Sequence, residues 1–481
     1  MHNYYHTILQ GLLQFLIPEK HRILYYGAHY QEIIFSLHPA SAVIINEEIN
    51  KENQENPVTQ FVHNKYHLYK PAEKFDYIIL DGAIGKTENI NRLLKNLAVA
   101  CTSHTRIIIH QENYLWRPIF NLASAFGWTK LEKTQNWLSI KDVETYLKAA
   151  GFESTRTYKK TIFPIKFLFL GKLINYVFSV LPMLDFLKLD QFIVARHIGI
   201  PDNLYPESLT ICLTVRDEEK NIEPIVSTLP VLCEKQEILF VEGNSSDNTI
   251  KEIERMKMLF PHKNIRLIRQ AGKGQGDAIR AGFKEAKGEI IILYEGDGTS
   301  EPYDIQYFYD AIKTGKYEFI EGSRFVYPLG HSSMPLLNKI GNVLFAKWFS
   351  FFLNQRTTDV LSGIKAIMKK DFEKIYNSWG FIGIPDPFGD FELLFGSARY
   401  GLKIGEIPMR YKPRKHGFSK TKVFGHGWYL LKMALTGYFI FRNSKISKKT
   451  KGMEAVVQST DGKQGNSQLS TVSDFKFQTT N

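Results

Sequence analysis

The sequence predicts an α/β protein in which two domains follow each other, each with a largely parallel sheet covered by helices. Short apolar segments alternate with helix-like segments, which is typical of parallel strands joined by helices. The alternation occurs twice, first from about residue 20 to 160 and again from about residue 208. The chain has 481 residues, 44% of them hydrophobic, which is enough for two separate cores.

The first domain is predicted at residues 1–160. Apolar residues at helical spacing predict helices at 88–102 and 140–152. Residues 161–206 are apolar and then rich in proline, and we expect them to form a connector. The predicted strands of this domain are RILYYG (22–27), SAVIIN (41–46), FDYIILDG (75–82) and TRIIIH (105–110).

The second domain is predicted at residues 207–443. Residues 444–481 contain mainly Ser, Thr, Gln, Lys and Gly with few apolar residues, so we expect a disordered polar tail. The predicted strands of the second domain are SLTICLTV (208–215), EILFVEG (237–243), IRLIRQ (265–270), EIIILYEGD (289–297) and YEFIEGS (317–323).

Charge and apolar patterning favour a membrane surface as partner and argue against nucleic acid. The formal net charge is +12, and lysines lie beside long apolar segments, whereas no nucleic-acid motif stands out. The segments 167–187, 336–353 and 428–441 are interrupted by polar residues or are shorter than the roughly 20 residues a span needs. We interpret them as helices that are either buried in a core or amphipathic and in the plane of a membrane surface, rather than as spans.

The cellular compartment is predicted from cysteines and from the first residues. The three cysteines have no metal-binding spacing, which favours a reducing compartment. The beginning of the chain lacks the basic segment and cleavage site of a secretory signal. We therefore expect a cytoplasmic protein, peripheral at the cytoplasmic face of the membrane, which could also contact a membrane protein.

Two carboxylates follow a strand predicted to be buried on both faces. Ile290 to Leu293 show no polar alternation, and Glu295 and Asp297 follow directly. Ligands of open α/β sheets bind outside the carboxyl ends of strands, and side chains two residues apart point to the same side. Such a pair suits Mg²⁺ or Mn²⁺ together with substrate phosphates. The alternative is an ordinary turn of Gly, Asp and Thr.

The neighbouring strand ends of the second domain also carry polar residues. The first ends in Arg216, Asp217 and Glu219, and the second is followed by Glu242 and Ser245. A glycine-rich turn, GKGQG, then precedes a helix. This turn brings in three further charged residues, namely Lys273, Asp277 and Arg280.

This order of motifs resembles glycosyltransferase family 2, and within it the polyprenyl-phosphate (dolichol-phosphate-like) glycosyltransferases. The resemblance covers roughly residues 208 to 442 and implies a GT-A fold, which is a Rossmann-like sheet that binds a nucleotide sugar. It rests on TVRDEEKNI, FVEGNSSDNT, GKGQGDAIRAGFKEAKGEIIILYEGDGT, FIEGSRFVYP, TTDVLSGIKAI, DPFGDFELLFGSARYGLKIGEIPMRYKPRKHGFSK and HGWYLLKM.

The resemblance implies inverting transfer of a sugar from a nucleotide sugar to a polyprenyl-phosphate lipid. Glu295 and Asp297 correspond to the family's DxD metal motif, here read Glu-Gly-Asp, and would hold Mg²⁺ or Mn²⁺. The usual second carboxylate after Glu242 is replaced by Gly243. We assign the nucleotide-sugar site to Arg216, Asp217, Glu219, Glu242, Ser245, Lys273, Asp277 and Arg280.

The acceptor site is assigned to basic residues and to nearby acids. A lipid phosphate is already anionic and needs charge neutralisation, whereas a hydroxyl acceptor needs a general base. Asp390 and Glu392 would serve as that base, or would orient the substrates. The acceptor phosphate is assigned to Arg324, Arg414 and Lys420, and the candidate catalytic acids are Asp390, Glu392 and Asp359.

The first domain resembles a class I S-adenosylmethionine-dependent methyltransferase over roughly residues 15 to 160. The resemblance rests on ILYYGAHYQEI, VIINEE and FDYIILDGAIG, together with ENYLWRPIF and QNWLSIKDVETYLKAAGFE. Its glycine motif is eroded, because Gly27 stands without the usual further glycines. The implied S-adenosylmethionine contacts are Gly27, Asn46, Glu47 and Asp81.

Three alternatives remain open from the sequence. One is a methyltransferase acting on a saccharide or a lipid-linked sugar, alone or in a bifunctional enzyme. A second is a non-catalytic scaffold that binds nucleotide sugars and recruits partners through its basic surface. A third is a glycosyltransferase whose acceptor is a saccharide hydroxyl. For the first domain itself, the alternative to methylation is a degenerate domain kept for folding, docking or regulation.

Overall fold

The computed structural model describes most of both predicted domains. The described residues are 2–27, 31–47, 58–127, 136–160, 175, 177–178, 181–199, 205–327, 334, 336–416 and 423–444. Two seven-stranded sheets covered by helices confirm the predicted α/β fold class. The tail prediction from residue 445 onward and the predicted phosphate ligand Lys420 lie outside the described residues.

The first sheet has the strand order β3-β2-β1-β4-β5-β7-β6. The pairs among β1 to β5 are all parallel, whereas β7 runs antiparallel to both β5 and β6. The strands are β1 (Arg22–Tyr26), β2 (Ser41–Asn46), β3 (Thr59–His63), β4 (Tyr77–Asp81), β5 (Arg106–Glu112), β6 (Phe152–Lys160) and β7 (Asp190–His197).

The helices of the first sheet are short apart from the one at the start of the chain. They are α1 (His2–Leu16), α2 (Gln31–Phe35), α3 (Ala83–Lys86), α4 (Ile90–Val99), α5 (Arg117–Ala125) and α6 (Ile140–Ala149). Asn89 caps α4, and a capping box of Ser139 and Asp142 begins α6. Two 3₁₀ turns lie at Tyr114–Trp116 and Pro182–Leu187.

The predicted connector over residues 161–206 is wrong for residues 190–197. These residues form β7, which pairs with Ile107 to Glu112 on one side and with β6 on the other. The first domain therefore extends beyond residue 160. Sequence reasoning missed this strand because its place between β5 and β6 depends on pairing with segments that are distant in the sequence.

The second sheet has the order β10-β9-β8-β11-β13-β12-β14. Only β13 runs antiparallel to its neighbours, β11 and β12, among the described strands. The strands are β8 (Ser208–Val215), β9 (Lys235–Glu242), β10 (Asn264–Arg269), β11 (Ile290–Glu295), β12 (Phe319–Ser323), β13 (Ile364–Met368) and β14 (Ile404–Pro408). From β8 the chain continues to β9 and β10 on one side of the sheet, whereas β11 and the later strands lie on the other side. A topological switch point therefore lies between β8 and β11.

Helices cover both faces of the second sheet. They are α7 (Glu219–Thr228), α8 (Thr249–Leu259), α9 (Gln275–Glu285), α10 (Ile305–Lys313), α11 (Leu336–Leu353), α12 (Lys369–Tyr376), α13 (Asp390–Arg399) and α14 (Val423–Asn443). The two longest, α11 and α14, pack against each other. Within the described residues, no helix combines the length and the hydropathy required to cross a membrane.

The two domains share a buried interface. Arg106 of β5 is almost fully buried, forms an ion pair of 2.7 Å with Glu318 and donates to the Gly401 carbonyl at 2.9 Å. Arg399 of α13 donates to the Phe15 carbonyl of α1 at 2.7 Å. One apolar cluster contains side chains of both sheets. The domains are therefore packed as parts of one core.

Candidate active site

Glu295 ends β11 at the switch point and is held from two sides. Gln275, at the start of α9, donates a hydrogen bond to one of its carboxylate oxygens. The other oxygen lies beside Gly363, where an added Cβ would overlap it. The glycine before β13 therefore makes room for this carboxylate.

Asp297 lies in the turn after β11 and faces a cation from the same chain. Its Oδ1 accepts hydrogen bonds from the amide and hydroxyl of Thr299, at 3.0 and 2.7 Å. Its Oδ2 accepts a hydrogen bond of 2.7 Å from Arg414. Arg414 also contacts Glu218, an almost buried acid at the end of β8, at 3.3 Å. Arg414 thus joins the turns after β8 and β11.

The site holds more negative charge than its cations balance. Burial raises the pKa of Glu295 to about 7, and repulsion from Asp297 and Asp390 acts in the same direction. The hydrogen bond from Gln275 and the charge of Arg324 lower that pKa only in part. A further cation would therefore stabilise the ionised form of Glu295.

The residues present fit a divalent cation that is completed by phosphate oxygens. Glu295 and Asp297 supply the oxygen ligands that Mg²⁺ and Mn²⁺ prefer. In the described part of the chain, no group of three or more His, Cys, Asp or Glu side chains could hold a metal alone. A cation held by Glu295 and Asp297 would therefore keep coordination positions open for other oxygen ligands.

Hydrogen bonds join the turn after β8 to the turn after β9. Asp217 has a left-handed backbone, with φ of 53°, and its carboxylate accepts hydrogen bonds from the Ser246 amide and hydroxyl at 2.7 and 3.0 Å. The Asp217 amide donates to the Ser245 hydroxyl at 3.0 Å, and the Ser245 amide donates to Glu242. Glu242, Ser245 and Asp217 are therefore brought together as predicted, and their mutual bonds fix the shape of the loop.

The other residues assigned to the nucleotide sugar surround this loop less tightly. Glu219 accepts weak hydrogen bonds of 3.4 Å from Asn248, and Arg216 lies 3.7 Å from Asp217. Asp277 accepts from the Gly272 amide at 2.8 Å and from Arg280 at 3.1 Å, so it shapes the glycine-rich turn. Lys273 is exposed in that turn.

Arg324 and Asp359 form a buried pair beside the metal-ligand candidates. Arg324 donates two hydrogen bonds to Asp359, at 2.6 and 2.8 Å, and Asn342 of α11 donates a third at 2.9 Å. Burial alone would raise the pKa of Asp359, but Arg324 holds it below its usual value. The guanidinium also lies over the ring of Tyr411, 5.2 Å from its centroid. Asp359 therefore orients Arg324.

Asp390 is paired with a lysine that sequence reasoning missed. Lys365 of β13 is fully buried and lies 3.2 Å from Asp390, 3.3 Å from Glu321 and 2.9 Å from the Ser362 carbonyl. Burial raises the pKa of Asp390, and the charge of Lys365 opposes that rise. Burial raises the pKa of Glu321 to about 7 despite the same lysine. Lys365 thus supplies positive charge to two buried acids, Asp390 at the start of α13 and Glu321 of β12.

Glu392 is not brought to the other candidate catalytic residues. It is buried in α13, where one oxygen accepts a hydrogen bond of 3.1 Å from the Gly380 amide and the other has no hydrogen-bond partner among the described residues. Burial and repulsion from Asp386 raise its pKa to about 8. Asp386 itself caps α13 through the amides of Phe391 and Glu392, at 2.8 and 3.0 Å.

Several residues of the site carried little signal in the sequence. Glu218 lies between Asp217 and Glu219 in the acidic segment after β8. The sequence indicated this segment as part of the site but did not indicate Glu218 among its acids. Gln275 stood inside the glycine-rich turn and could have been found as a polar residue at a helix start. Lys365, by contrast, appeared as one charge in an apolar strand, and its partners are distant in sequence.

The residues proposed to contact S-adenosylmethionine form hydrogen bonds with other residues of the first domain. The Asp81 carboxylate accepts a hydrogen bond of 2.8 Å from Tyr25 and contacts His110 at 2.6 Å. Burial alone would lower the pKa of His110, but hydrogen bonds to Asp190 and Asp81 raise it to about 10. Glu47 accepts from the Tyr66 amide at 2.7 Å, and Asn46 is buried at the end of β2.

The Tyr25 side chain narrows the space beside the first strand end. The Tyr25 hydroxyl lies 2.8 Å from where a Cβ of Gly27 would be, so it fills the position beside the first strand end. The described residues enclose a cavity of about 10 Å³ there, lined by Leu9, Leu13, Tyr25, Asp81 and His110 among others. That volume is about what one water molecule needs.

The second sheet presents the carboxylates of Glu295 and Asp297 beside the guanidinium groups of Arg324 and Arg414 at one edge. The model of "Glycosyl transferase family 2" matches residues 210–376, which include Glu295, Asp297 and Arg324. The UDP-N-acetylglucosamine–dolichyl-phosphate N-acetylglucosaminyltransferase of Methanococcus voltae is 30% identical over 217 residues, covering 40% of this chain and 81% of that protein. The chain belongs to glycosyltransferase family 2.

Further comparisons each cover about half of the chain. The dolichyl-phosphate hexose transferase of Haloferax volcanii is 28% identical over 225 residues, which is 46% of this chain and 90% of that protein. Three longer relatives are covered over 32%, 59% and 51% of their length. Glucosyl-3-phosphoglycerate synthase of Mycobacterium tuberculosis aligns with a TM-score of 0.37 at 16% identity, covering 50% of this chain and 82% of that one.

Proposed function

We propose that this glycosyltransferase moves a sugar from a nucleotide sugar to a polyprenyl-phosphate lipid, with inversion and with a divalent cation. The observation that carries the proposal is the meeting of Glu295 and Asp297 with Arg324 and Arg414 at the edge of β11. Relatives named for dolichyl-phosphate acceptors support the class of acceptor.

On the donor side, the leaving group is a nucleoside diphosphate that gains negative charge as the bond to the sugar breaks. A Mg²⁺ or Mn²⁺ ion at Glu295 and Asp297 would supply Lewis-acid stabilisation of that charge. The interlocked turns carrying Asp217 and Glu242 form the wall on which we place the nucleoside. Gln275 orients Glu295 from the start of α9.

On the acceptor side, a lipid phosphate needs cations rather than a base. Its second pKa is about 6, so it is largely a dianion at neutral pH. Arg324 is held in one orientation by Asp359 and is well placed to meet this charge. Asp390, one of the candidate bases, forms an ion pair with Lys365. This pairing suits a role in orienting the site more than a role as a free base.

The exposed faces of α11 and α14 support a peripheral position at the cytoplasmic membrane surface. On α11 the exposed stripe is Ile340, Leu344, Lys347 and Phe351. On α14 it is Trp428, Lys432, Leu435 and Phe439. Neither helix contains Asp or Glu, so both stripes suit an anionic lipid surface.

The experiment is transfer of radiolabel from a panel of nucleotide sugars to undecaprenyl phosphate in the presence of Mn²⁺ or Mg²⁺. We expect label in the lipid phase, dependent on the metal, and a loss of about a hundredfold or more in Asp297→Asn. The matched control is Asp310→Asn, which removes an exposed carboxylate of α10 and should retain the wild-type rate. Absence of transfer from every donor would contradict the proposal.

A further inference from the structure

Helix α5 of the first domain has an apolar surface that is largely exposed among the residues the structure describes. None of its residues is buried. Ile119, Leu122 and Phe126 are 55 to 64% exposed and, with Leu115, recur at the spacing of one helix face. A nine-residue helix is marginal in water without a packed face. Such a face is a candidate for contact with a partner.

The uncovered surface continues into the 3₁₀ turn at Pro182–Leu187. This turn also has no buried residue, and its Met183 and Phe186 are 76 and 55% exposed. The Trp116 indole donates to the Leu187 carbonyl at 2.8 Å, and the Asn113 amide donates to the Phe186 carbonyl at 2.8 Å. The beginning of α5 and the turn are thus one bonded unit.

The same turn is joined to α14 of the transferase domain. Arg442 donates two hydrogen bonds to Asp185, at 2.7 and 2.8 Å. Phe439, on the exposed stripe of α14, lies one turn of helix before Arg442. A bonded path therefore leads from α5 through the turn to the stripes of α14 and α11.

The charges on and beside α5 and the turn indicate the kind of partner that this surface would bind. No Asp or Glu occurs between residues 113 and 127, and the one charge there is Arg117, which is exposed. In the turn, Asp185 is neutralised by Arg442 and Lys188. Apolar side chains with basic residues and without free acids suit an anionic lipid surface.

We propose that α5 and the turn at Pro182–Leu187 form a second membrane-binding element, by which the first domain lies on the same anionic bilayer as α11 and α14. This element lies outside the residues that match the family model. It gives the first domain a role in binding lipid, in place of a methyl-transfer role. The inference extends the membrane contact of the proposed function, but it is tested without donor or acceptor.

The test follows the environment of single labelled positions on the full-length chain. In a Cys233→Ser background, where Cys101 and Cys212 are buried, Leu122→Cys or Met258→Cys receives an environment-sensitive NBD fluorophore. Met258 is 77% exposed on α8 and serves as the matched control. We expect phosphatidylglycerol-containing vesicles to shift the emission of the label at 122 to the blue and to leave the label at 258 unchanged.

A second measurement uses variants of exposed residues only. Ile119→Ser combined with Leu122→Ser and Phe126→Ser should weaken binding to these vesicles about tenfold. Val231→Ser combined with Met258→Ser and Leu259→Ser removes three similarly exposed apolar side chains elsewhere and should bind as wild type does. Unchanged melting temperatures show that both triple variants are folded.

Three results would overturn the proposal. An unchanged emission at position 122 on addition of vesicles would exclude lipid contact there. A blue shift that requires protein concentration but no vesicles would assign the surface to a second copy of the chain. A label already blue-shifted at high dilution would mean that the chain covers α5 itself. Loss of transferase activity alone would bear only on the proposed function, because vesicle binding is measured without substrates.

Discussion

At the scale of single residues, the site is organised by buried charges that are only partly compensated. Burial raises the pKa of Glu295 and of Glu321 to about 7, and that of Glu392 to about 8. The first two acids adjoin cations, whereas Glu392 has one oxygen without a hydrogen-bond partner in the described part of the chain. Glu392 therefore lowers stability when it is ionised.

The pH dependence of stability tests this view of Glu392. Its folded pKa of about 8 lies above its ordinary value of 4.5, so the native state binds more protons and loses stability as pH rises between these values. Glu392→Gln should match wild type near pH 4.5 and be more stable near pH 8.5, by on the order of 1 to 3 kcal/mol. Denaturant unfolding at both pH values measures the difference.

An exposed acid provides the control for that measurement. Glu254→Gln on α8 removes a half-exposed carboxylate and should leave the pH dependence of stability close to that of wild type. An equal stability difference between Glu392→Gln and wild type at both pH values would show that Glu392 does not titrate in this range.

The sequence predicts residues that share a local pattern and misses those that meet only in the folded sheet. Glu295 and Asp297 follow an apolar strand directly, so the sheet edge and their common side could be inferred. Lys365 could not be matched with Asp390, because that pairing depends on β13 running antiparallel between β11 and β12. The position of Glu392 depends likewise on how α13 packs.

At the scale of elements, the site depends on close approach between the starts of α9 and α13. The Gly276 amide donates to the Pro387 carbonyl at 2.9 Å. An added Cβ at Gly276 would lie 2.5 Å from the Asp386 carbonyl oxygen and 2.9 Å from the Gly389 nitrogen. These are backbone atoms, so the two helices would have to separate.

Gly276→Ala should therefore destabilise the protein and weaken nucleotide binding together. Alanine favours helix by about 1 kcal/mol over glycine, but overpacking against backbone costs about 1 to 3 kcal/mol. Thermal unfolding and titration with a nucleoside diphosphate and Mn²⁺ measure the two effects. Gly341→Ala in α11 is the control, since no atom lies within 4 Å of its added Cβ and its stability should not fall. A stable Gly276→Ala variant would refute the close approach.

Element by element, most strands of the described residues were predictable and the antiparallel insertions were not. The continuous apolar runs of β1, β2, β4, β5, β8, β9 and β11 mark strands buried on both faces. By contrast, long segments of the chain separate β7 and β13 from the strands that precede them. The strands β6 and β14 are recognisable only by their pairing. Their signal lies in tertiary contacts.

At the scale of the whole molecule, the first domain is built into the transferase. Arg106 and Arg196 of the first sheet both meet Glu318, which precedes β12, at 2.7 and 3.6 Å. His104 contacts Asp371 of α12 at 3.2 Å. We therefore expect both sheets to unfold in one cooperative transition.

Removing one partner of the buried pair tests this coupling. Arg106→Met leaves Glu318 buried with less compensation, and should lower the free energy of unfolding by about 3 to 5 kcal/mol. Arg255→Met on α8 breaks exposed ion pairs and should cost less than about 1 kcal/mol. Calorimetry should give one transition for wild type. Two separate transitions, with only the first domain affected by Arg106→Met, would show that the domains are independent.

The most direct test of the central claim compares two acceptors that differ only in the phosphate. The rate of radiolabel transfer by the wild-type chain is measured with undecaprenyl phosphate and with undecaprenol, with the same nucleotide sugar and Mn²⁺. We expect label in the phosphate-bearing lipid and almost none in the alcohol. Arg324 and Arg414 are available to bind the negative charge of the phosphate, whereas Asp390 is paired with Lys365 and is a poor base for a hydroxyl. Equal labelling of the alcohol, or labelling of neither lipid, would contradict the central claim.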